Sequence, residues 1–445
     1  MRALTYVWFL YFVQNLEWQE RLWGQIRPEA DSLCSWQKRM ITLLASPAFF
    51  GRGYVQEGMW KAARAVADSL AAWGLKRPPF ASDYLQTFSV AVHTFPDTVE
   101  LWWGKVRLIP GLDFHVQPES QSLKGRFRLR PIRAHRGLPR LRKGRDAVFL
   151  DYLNAPDDSW RKQLAHLQDS VVKAGWPVVR LAAKQEAWYP ARASQPSFVA
   201  TIHPRAAHKV VKIPRFLTVH VRAETHSEVP CANSLAYWPG QVPDTFIVIT
   251  AHLDHLGMLG REALYGGAHD NASGTAMMMA LARYVASQPP PHYSLLFIGF
   301  GAEEIGLEGS WQFIHKYRPV LPRIRFLLNL DLMGGAEKGV TLVNGRELPH
   351  LSALIDSLNR TYNLLEKVDL RSNAPNSDHY FFTQLQVPAI FLYANGEGIA
   401  YHDVLDTAER LPWQNCPRLY SLLVNFLESL QKPLPSYYFE AKSQK

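Results

Sequence analysis

The stretch SLLFIGFGAEEIGLEGS (residues 294–310) sets the reading of the chain. Its first seven residues form an apolar run ended by Gly301, the pattern of a strand buried on both faces in a parallel sheet. Just beyond stand two adjacent acids, Glu303 and Glu304. Ligands of open parallel sheets gather outside the carboxyl ends of the strands. Neighbouring carboxylates there repel each other unless a cation or a shared proton separates their roles. The stretch therefore predicts a parallel sheet and a positive charge at its rim.

Outward from this strand, residues from about 233 to 430 alternate strand and helix patterns. TFIVITA (245–251) precedes the helix SGTAMMMALARYVASQ (273–288), and SLLFIGF precedes LEGSWQFIHKY (307–317). IRFLLNL (324–330), a helix near LSALIDSLNRTY (351–362), AIFLYA (389–394) and the helix CPRLYSLLVNFLESLQ (416–431) complete the series. Such alternation predicts an α/β fold, a mainly parallel mixed sheet with helices on both faces. Residues 35–71 read as helical. Between about 103 and 223 the short strands GKVRLI, GRFRLR, AVFLDY and LTVHVRA, separated by Pro, Gly and Asp, predict a smaller β-rich insert. The expected organisation is a main domain of 35–102 and 224–432 around an insert of 103–223.

With 445 residues, 47% hydrophobic and 20% charged, the composition is that of a folded globular protein long enough for two domains. No run reaches the ~18 apolar residues of a membrane-spanning helix. The net charge of +10 is local. Lys124, Arg126, Arg128, Arg130, Arg133, Arg136, Arg140, Arg142, Lys143 and Arg145 supply ten of the 49 Lys+Arg, and those left equal the 39 Asp+Glu. In KGRFRLR the charges fall on one strand face and Phe127 and Leu129 on the other, as in a charged edge strand that discourages edge-to-edge pairing. No aromatic platform or recognisable nucleic-acid module accompanies the charge, so no nucleic-acid partner is expected. Cys34, Cys231 and Cys416 allow one disulfide or none, and lack CxxC spacing. At the start, MRALTYVWFLYFVQNLEWQE places Arg2 before an apolar run of h-region length. Residues 1–20 are read as a signal peptide and the protein as extracytoplasmic, periplasmic or secreted.

Further acids and histidines sit at or after the same strands. TAHLDH carries His252 and Asp254, GGAHDNASG carries Asp270, LLNLDLMGG carries Asp331, and YHDVLDT carries Tyr401, His402 and Asp406. Singly, each has a structural explanation, such as a helix cap at DNAS or acids at a helix start. Together they would gather buried like charges in one crevice, which is costly without cations. Histidine with carboxylate oxygens suits zinc, and two such ions about 3.5–4 Å apart form a hydrolytic site.

Residues 249–409 resemble the zinc peptidases of the M28 family, whose pattern runs H-x-D, D-[DN]-x-S-G, E-E-x-G, N-x-D and Y-H-x-x-x-D. SPAFFGRGYVQEGMWKAARAVADSLAAWGL (46–75) is similar to the family's opening region. The resemblance implies a dizinc exopeptidase acting on peptides, with His252 and Asp331 on one ion, Glu304 and His402 on the other, and Asp270 bridging. Asp254 would orient the ligands from behind. Glu303 would act as general base, taking a proton from the attacking water and returning it to the leaving amine. Tyr401 would donate to the oxyanion. Asp406 would buttress the loop of His402, and Asp378 of SDHYFF would stand behind the ligands. His255 and His269 are read as non-ligands. The insert lies where many extracellular members carry a protease-associated domain. Removal of N-terminal residues is the favoured activity. A carboxypeptidase, a single-zinc glutaminyl cyclase and a binding scaffold are the alternatives, the last two disfavoured because no ligand or base is missing. Preferred side chain and oligomeric state are not encoded legibly.

Overall fold

The computed structural model describes residues 26–441 apart from positions 55, 133–138, 398 and 433. The segment read as a signal peptide, and Arg133 and Arg136 of the basic run, lie outside the described residues. Among the described residues no helix is long and apolar enough to cross a membrane.

Eight strands form the larger sheet. From edge to edge they are Leu85–Thr94, Glu224–Trp238, Tyr293–Phe300, Val242–His252, Ile324–Leu330, Ala389–Ala394, Val340–Val343 and Val368–Arg371. The central four run parallel, and antiparallel pairings flank them on either side. Every residue of Tyr293–Phe300 is buried, because helices cover both faces. Side chains alternate between those faces: Ile247, Ile249 and Ala251 pack with Leu295 and Phe297 on one side. Phe246 and Val248 pack with Leu296, Ile298 and Phe300 on the other. The expected α/β class and mixed parallel sheet are thus the observed ones.

The amino-terminal region departs from the continuous helix expected over 35–71. Helices Ala30–Leu44 and Gly58–Ala72 are separate. Between them Pro47 opens a tight turn, and Phe50, Gly51 and Arg52 all take positive φ. A Cβ at Gly51 would lie 2.4 Å from the carbonyl oxygens of Gly257 and Tyr265, so this turn admits only glycine there. Cys34 and Cys416 are bridged, tying the first of these helices to Cys416–Leu430, while Cys231 is free and buried.

A second eight-stranded sheet occupies the sequence between Val99 and Val221. Its order is Val106–Leu108, Val99–Trp103, Phe216–Val221, Leu123–Pro131, Asp146–Asp151, Val178–Leu181, Val199–Ile202 and Phe114–Val116. It is less purely β than the alternation suggested. Helix Asp158–Lys173 crosses over between the parallel strands Asp146–Asp151 and Val178–Leu181. That helix shows little apolar periodicity, burying only Leu164 and Val171, and Asp157 caps it by accepting from the Trp160 amide. The basic strand is also corrected. Arg126 and Arg128 are exposed and Phe127 and Leu129 buried, as expected, yet Leu123–Pro131 pairs on both sides and is no edge. Alternation reports which face meets water; it carries no information about neighbours in the sheet.

Candidate active site

Strand ends deliver the first half of the site. His252 ends the strand Val242–His252, and Asp331 follows Ile324–Leu330, its neighbour in the sheet. His252 Nε2 lies 3.1 Å from Asp270 Oδ1 and 3.2 Å from Asp331 Oδ1. Loops deliver the second half. His402 Nε2 lies 2.9 Å from Asp270 Oδ2 and 3.1 Å from Glu304 Oε2. The two oxygens of Asp270 therefore face two histidines from opposite sides. Donor atoms of His252, Asp270 and Asp331 lie within 4.8 Å of one another, and so do those of His255, Asp270, Glu304 and His402.

The electrostatics describe a site that demands positive charge. Burial lowers the pKa of His252, but Asp331 and Glu303 outweigh it and hold the imidazole well above its ordinary value. His402 is pushed up to about 11, with burial again opposed by Glu304 and Asp270. Asp270 is held well below the usual carboxylate range against burial, by the close approach of His252 and His402. Burial raises Glu303 well above the usual range; His252 opposes this and Glu304 adds to it. His402 Nε2 is buried and has no well-aligned hydrogen-bond partner. Divalent cations would answer the same demand with the donor set of zinc sites, imidazole nitrogen and carboxylate oxygen.

Supporting contacts assign several residues more closely than the sequence could. Asp254, expected to orient the ligands, stands 3.7 Å from His252 Nδ1, beyond a hydrogen bond. It instead accepts from the amides of Glu303 (3.0 Å) and Glu304 (3.1 Å) and from the Tyr54 hydroxyl (2.5 Å), fixing the paired-acid turn. Asp406 accepts from the amides of His269 (2.7 Å) and Asp270 (3.1 Å), so it grips the bridging residue's backbone. Asp331 Oδ2 accepts from Ser377 (2.8 Å), which accepts from Asn329 Nδ2 (2.8 Å). Asn329 in turn accepts from Thr250 (2.7 Å). Asp378 is fully buried without a hydrogen-bond partner, and burial raises its pKa to about 7. Tyr401 is 49% exposed and stacks on His402 with ring centroids 4.0 Å apart. His269 is buried outside both donor clusters, and burial lowers it to about 4.

Three contributors make contacts that the sequence reading did not assign, His255 among them as a residue read only as a non-ligand. His255 Nδ1 meets Glu304 Oε1 at 2.7 Å; its place three residues after His252 was the only signal. Arg52, 1% exposed, donates to the carbonyls of Leu44, Leu253, Gly266, Gly267 and Asp270. Trp188, from the second sheet's region, accepts from His402 Nδ1 through its carbonyl (2.9 Å), leaving Nε2 to face Asp270. No local pattern marks Trp188, because its backbone does the work.

Buried histidines and acids thus line the carboxyl edge of a half-parallel sheet. Residues 233–427 match the family model described as Peptidase family M28. Aminopeptidase YwaD of Bacillus subtilis is 30% identical over 181 residues, 39% of this chain and 36% of that protein. The chain thus spans well under two thirds of this relative's length. Among solved structures, BSAP, a zinc aminopeptidase from Bacillus subtilis, superposes with a TM-score of 0.63 at 16% identity, covering 92% of this chain and 97% of that one. A peptidase M28 precursor from Shewanella amazonensis gives 0.63 at 15% identity, covering 91% and 98%. The fold is shared along nearly the whole chain. Nothing here identifies the second sheet as a protease-associated domain.

Proposed function

We propose that this protein is a dizinc exopeptidase that removes N-terminal residues from peptides outside the cytoplasm. The observation that carries the reading is Asp270, whose two oxygens each meet a different histidine–carboxylate set. His252 and Asp331 would hold one ion, Glu304 and His402 the other, with His255 fixing the second oxygen of Glu304. Bound zinc supplies Lewis acidity to a water and to the scissile carbonyl.

Glu303 lies in the same cleft with its backbone clamped by Asp254. Burial raises its pKa, the direction in which a carboxylate becomes a stronger base. It would take the proton of the attacking water and pass it to the departing amine. Tyr401 lines the cleft and would donate to the oxygen that gains charge. The cleft volume of about 180 Å³ falls below the ~300–1,000 Å³ of ordinary ligand pockets. That is room for a terminal residue, not the middle of a long peptide. Names of relatives, an aminopeptidase and a zinc aminopeptidase, support the same polarity. The Cys34–Cys416 bridge favours an oxidising compartment.

The test incubates a mixed peptide pool with zinc-loaded protein and follows it by mass spectrometry. N-terminal ladders lost on chelation are expected; C-terminal ladders would reverse the polarity. Glu303→Gln should keep both metals and lose roughly 10²–10⁴-fold in turnover. Full activity of that variant would refute the assignment of the base.

A further inference from the structure

The cleft that holds the acids is also lined by a guanidinium that the proposed chemistry leaves unused. Arg371 is the single Arg or Lys among the described residues lining the cleft, which it shares with Asn376, Tyr393 and Tyr401. It ends the strand Val368–Arg371 and its side chain is exposed. One of its amino groups donates to the Tyr393 hydroxyl at 3.2 Å. Arginines elsewhere in the molecule pair with acids: Arg205 with Asp403 and Arg192 with Glu308. Among the described residues no carboxylate lies within ion-pair distance of Arg371. Four acids line the same cleft, yet the guanidinium engages a neutral hydroxyl.

We infer that Arg371 is a specificity determinant that binds a substrate carboxylate next to the scissile bond. This rests on the exopeptidase reading and narrows it to peptides carrying negative charge at the second contact point. A planar guanidinium binds carboxylate with two parallel hydrogen bonds, and the Tyr393 contact leaves most of its five donors free. In a cleft the size of one residue, that carboxylate has two sources. It is the α-carboxylate of a dipeptide or the side chain of an Asp or Glu beside the bond. The bland role, a charge guarding the edge of the sheet, predicts no selection among substrates.

Two substrate pairs distinguish the sources in the zinc-loaded full chain. One is a Leu-Ala dipeptide against its C-terminal amide; the other is a glutamyl against a glutaminyl anilide. The acid should be favoured in at least one pair by roughly ten- to hundredfold in kcat/KM, mostly through KM. Discrimination within the dipeptide pair assigns the α-carboxylate, and within the anilide pair the side chain. Arg371→Met should bring the ratio to near one, Arg371→Glu should invert it, and Arg371→Lys should keep part of it. A wild-type ratio near one in both pairs, or a ratio unchanged by Arg371→Met, overturns the inference. Calorimetric binding of the intact dipeptide and its amide, and of the two anilides, to Glu303→Gln reads the same preference without turnover. An inert wild-type enzyme therefore defeats only the peptidase reading, while equal affinity within both pairs defeats this one.

Discussion

His252 and Asp331 stand at the ends of adjacent parallel strands, and a buried row from Thr250 through Asn329 and Ser377 locks Asp331 from behind. His402 and Glu304 stand on loops, and their partners come from elsewhere: His255 for Glu304, and the Trp188 carbonyl for His402. One half of the centre is a by-product of sheet register. The other is assembled by contact between segments of the two sheets' regions, since Trp188 also stacks on Tyr265 and donates to the Val116 carbonyl. The first half should resist perturbation, and the second should follow the state of the insert. The residue common to both is Asp270.

Removing that common residue gives the largest effect. Asp270→Asn keeps the shape and deletes the charge that both histidines meet, so metal should leave both halves and activity should fall by more than the ~100-fold typical of outer-shell changes. Metal content per chain by mass spectrometry checks this. Full retention of one ion would mean that the halves do not share the carboxylate. A control comes next. Replacing Cys34 and Cys416 by Ser removes a crosslink between helices Ala30–Leu44 and Cys416–Leu430 whose two cysteines belong to neither donor set. Denaturant unfolding should report a loss of roughly 2–4 kcal/mol, with metal content untouched. Trp188→Phe is smaller and selective. It removes the hydrogen bond to Val116 and loosens the carbonyl that seats His402. Affinity for the second ion should weaken by about tenfold and for the first hardly at all. Equal weakening of both ions would erase the distinction drawn here.

The same division explains what could be read from the sequence. Strand-end residues were legible because a buried strand is a local apolar run, and the acids just beyond it have few structural reasons to be there. Asp254 was legible as a support for the ligands but its partners were not, since they are the Glu303 and Glu304 amides about 50 positions on. Asp406 likewise serves the backbone of Asp270, 136 positions earlier, which no local pattern announces. Helix Asp158–Lys173 stayed hidden because it buries so little. The edge assignment of the basic strand failed because pairing partners are non-local.

The smallest predicted effect tests whether the insert carries a pH-dependent load. His203 and His115 are buried in the second sheet, with His203 Nε2 2.8 Å from His115 Nδ1. Arg205 Nη2 and the Leu112 carbonyl each lie 3.1 Å from His203 Nδ1. Burial, joined by Arg205, lowers His203 to about 4. Burial, joined by His203, Arg180 and Arg205, lowers His115 well below its ordinary value. Asp403 and Asp113 pull His203 the other way without prevailing. An unfolded histidine titrates near 6.5, so the unfolded chain takes protons first as the pH drops. Stability is fully present above that value and is lost progressively as pH falls from about 6.5 toward 4. At pH 5.5 the loss from His203 should be roughly 1 kcal/mol. Unfolding at pH 7.5 and 5.5, repeated with His203→Gln, measures it: the variant should lose less stability on acidification than the wild type. Arg205 also pairs with Asp403, the residue after His402. Acid should therefore loosen the insert-held half before the sheet-held one, and simultaneous release of both ions would show that the two halves stand or fall together.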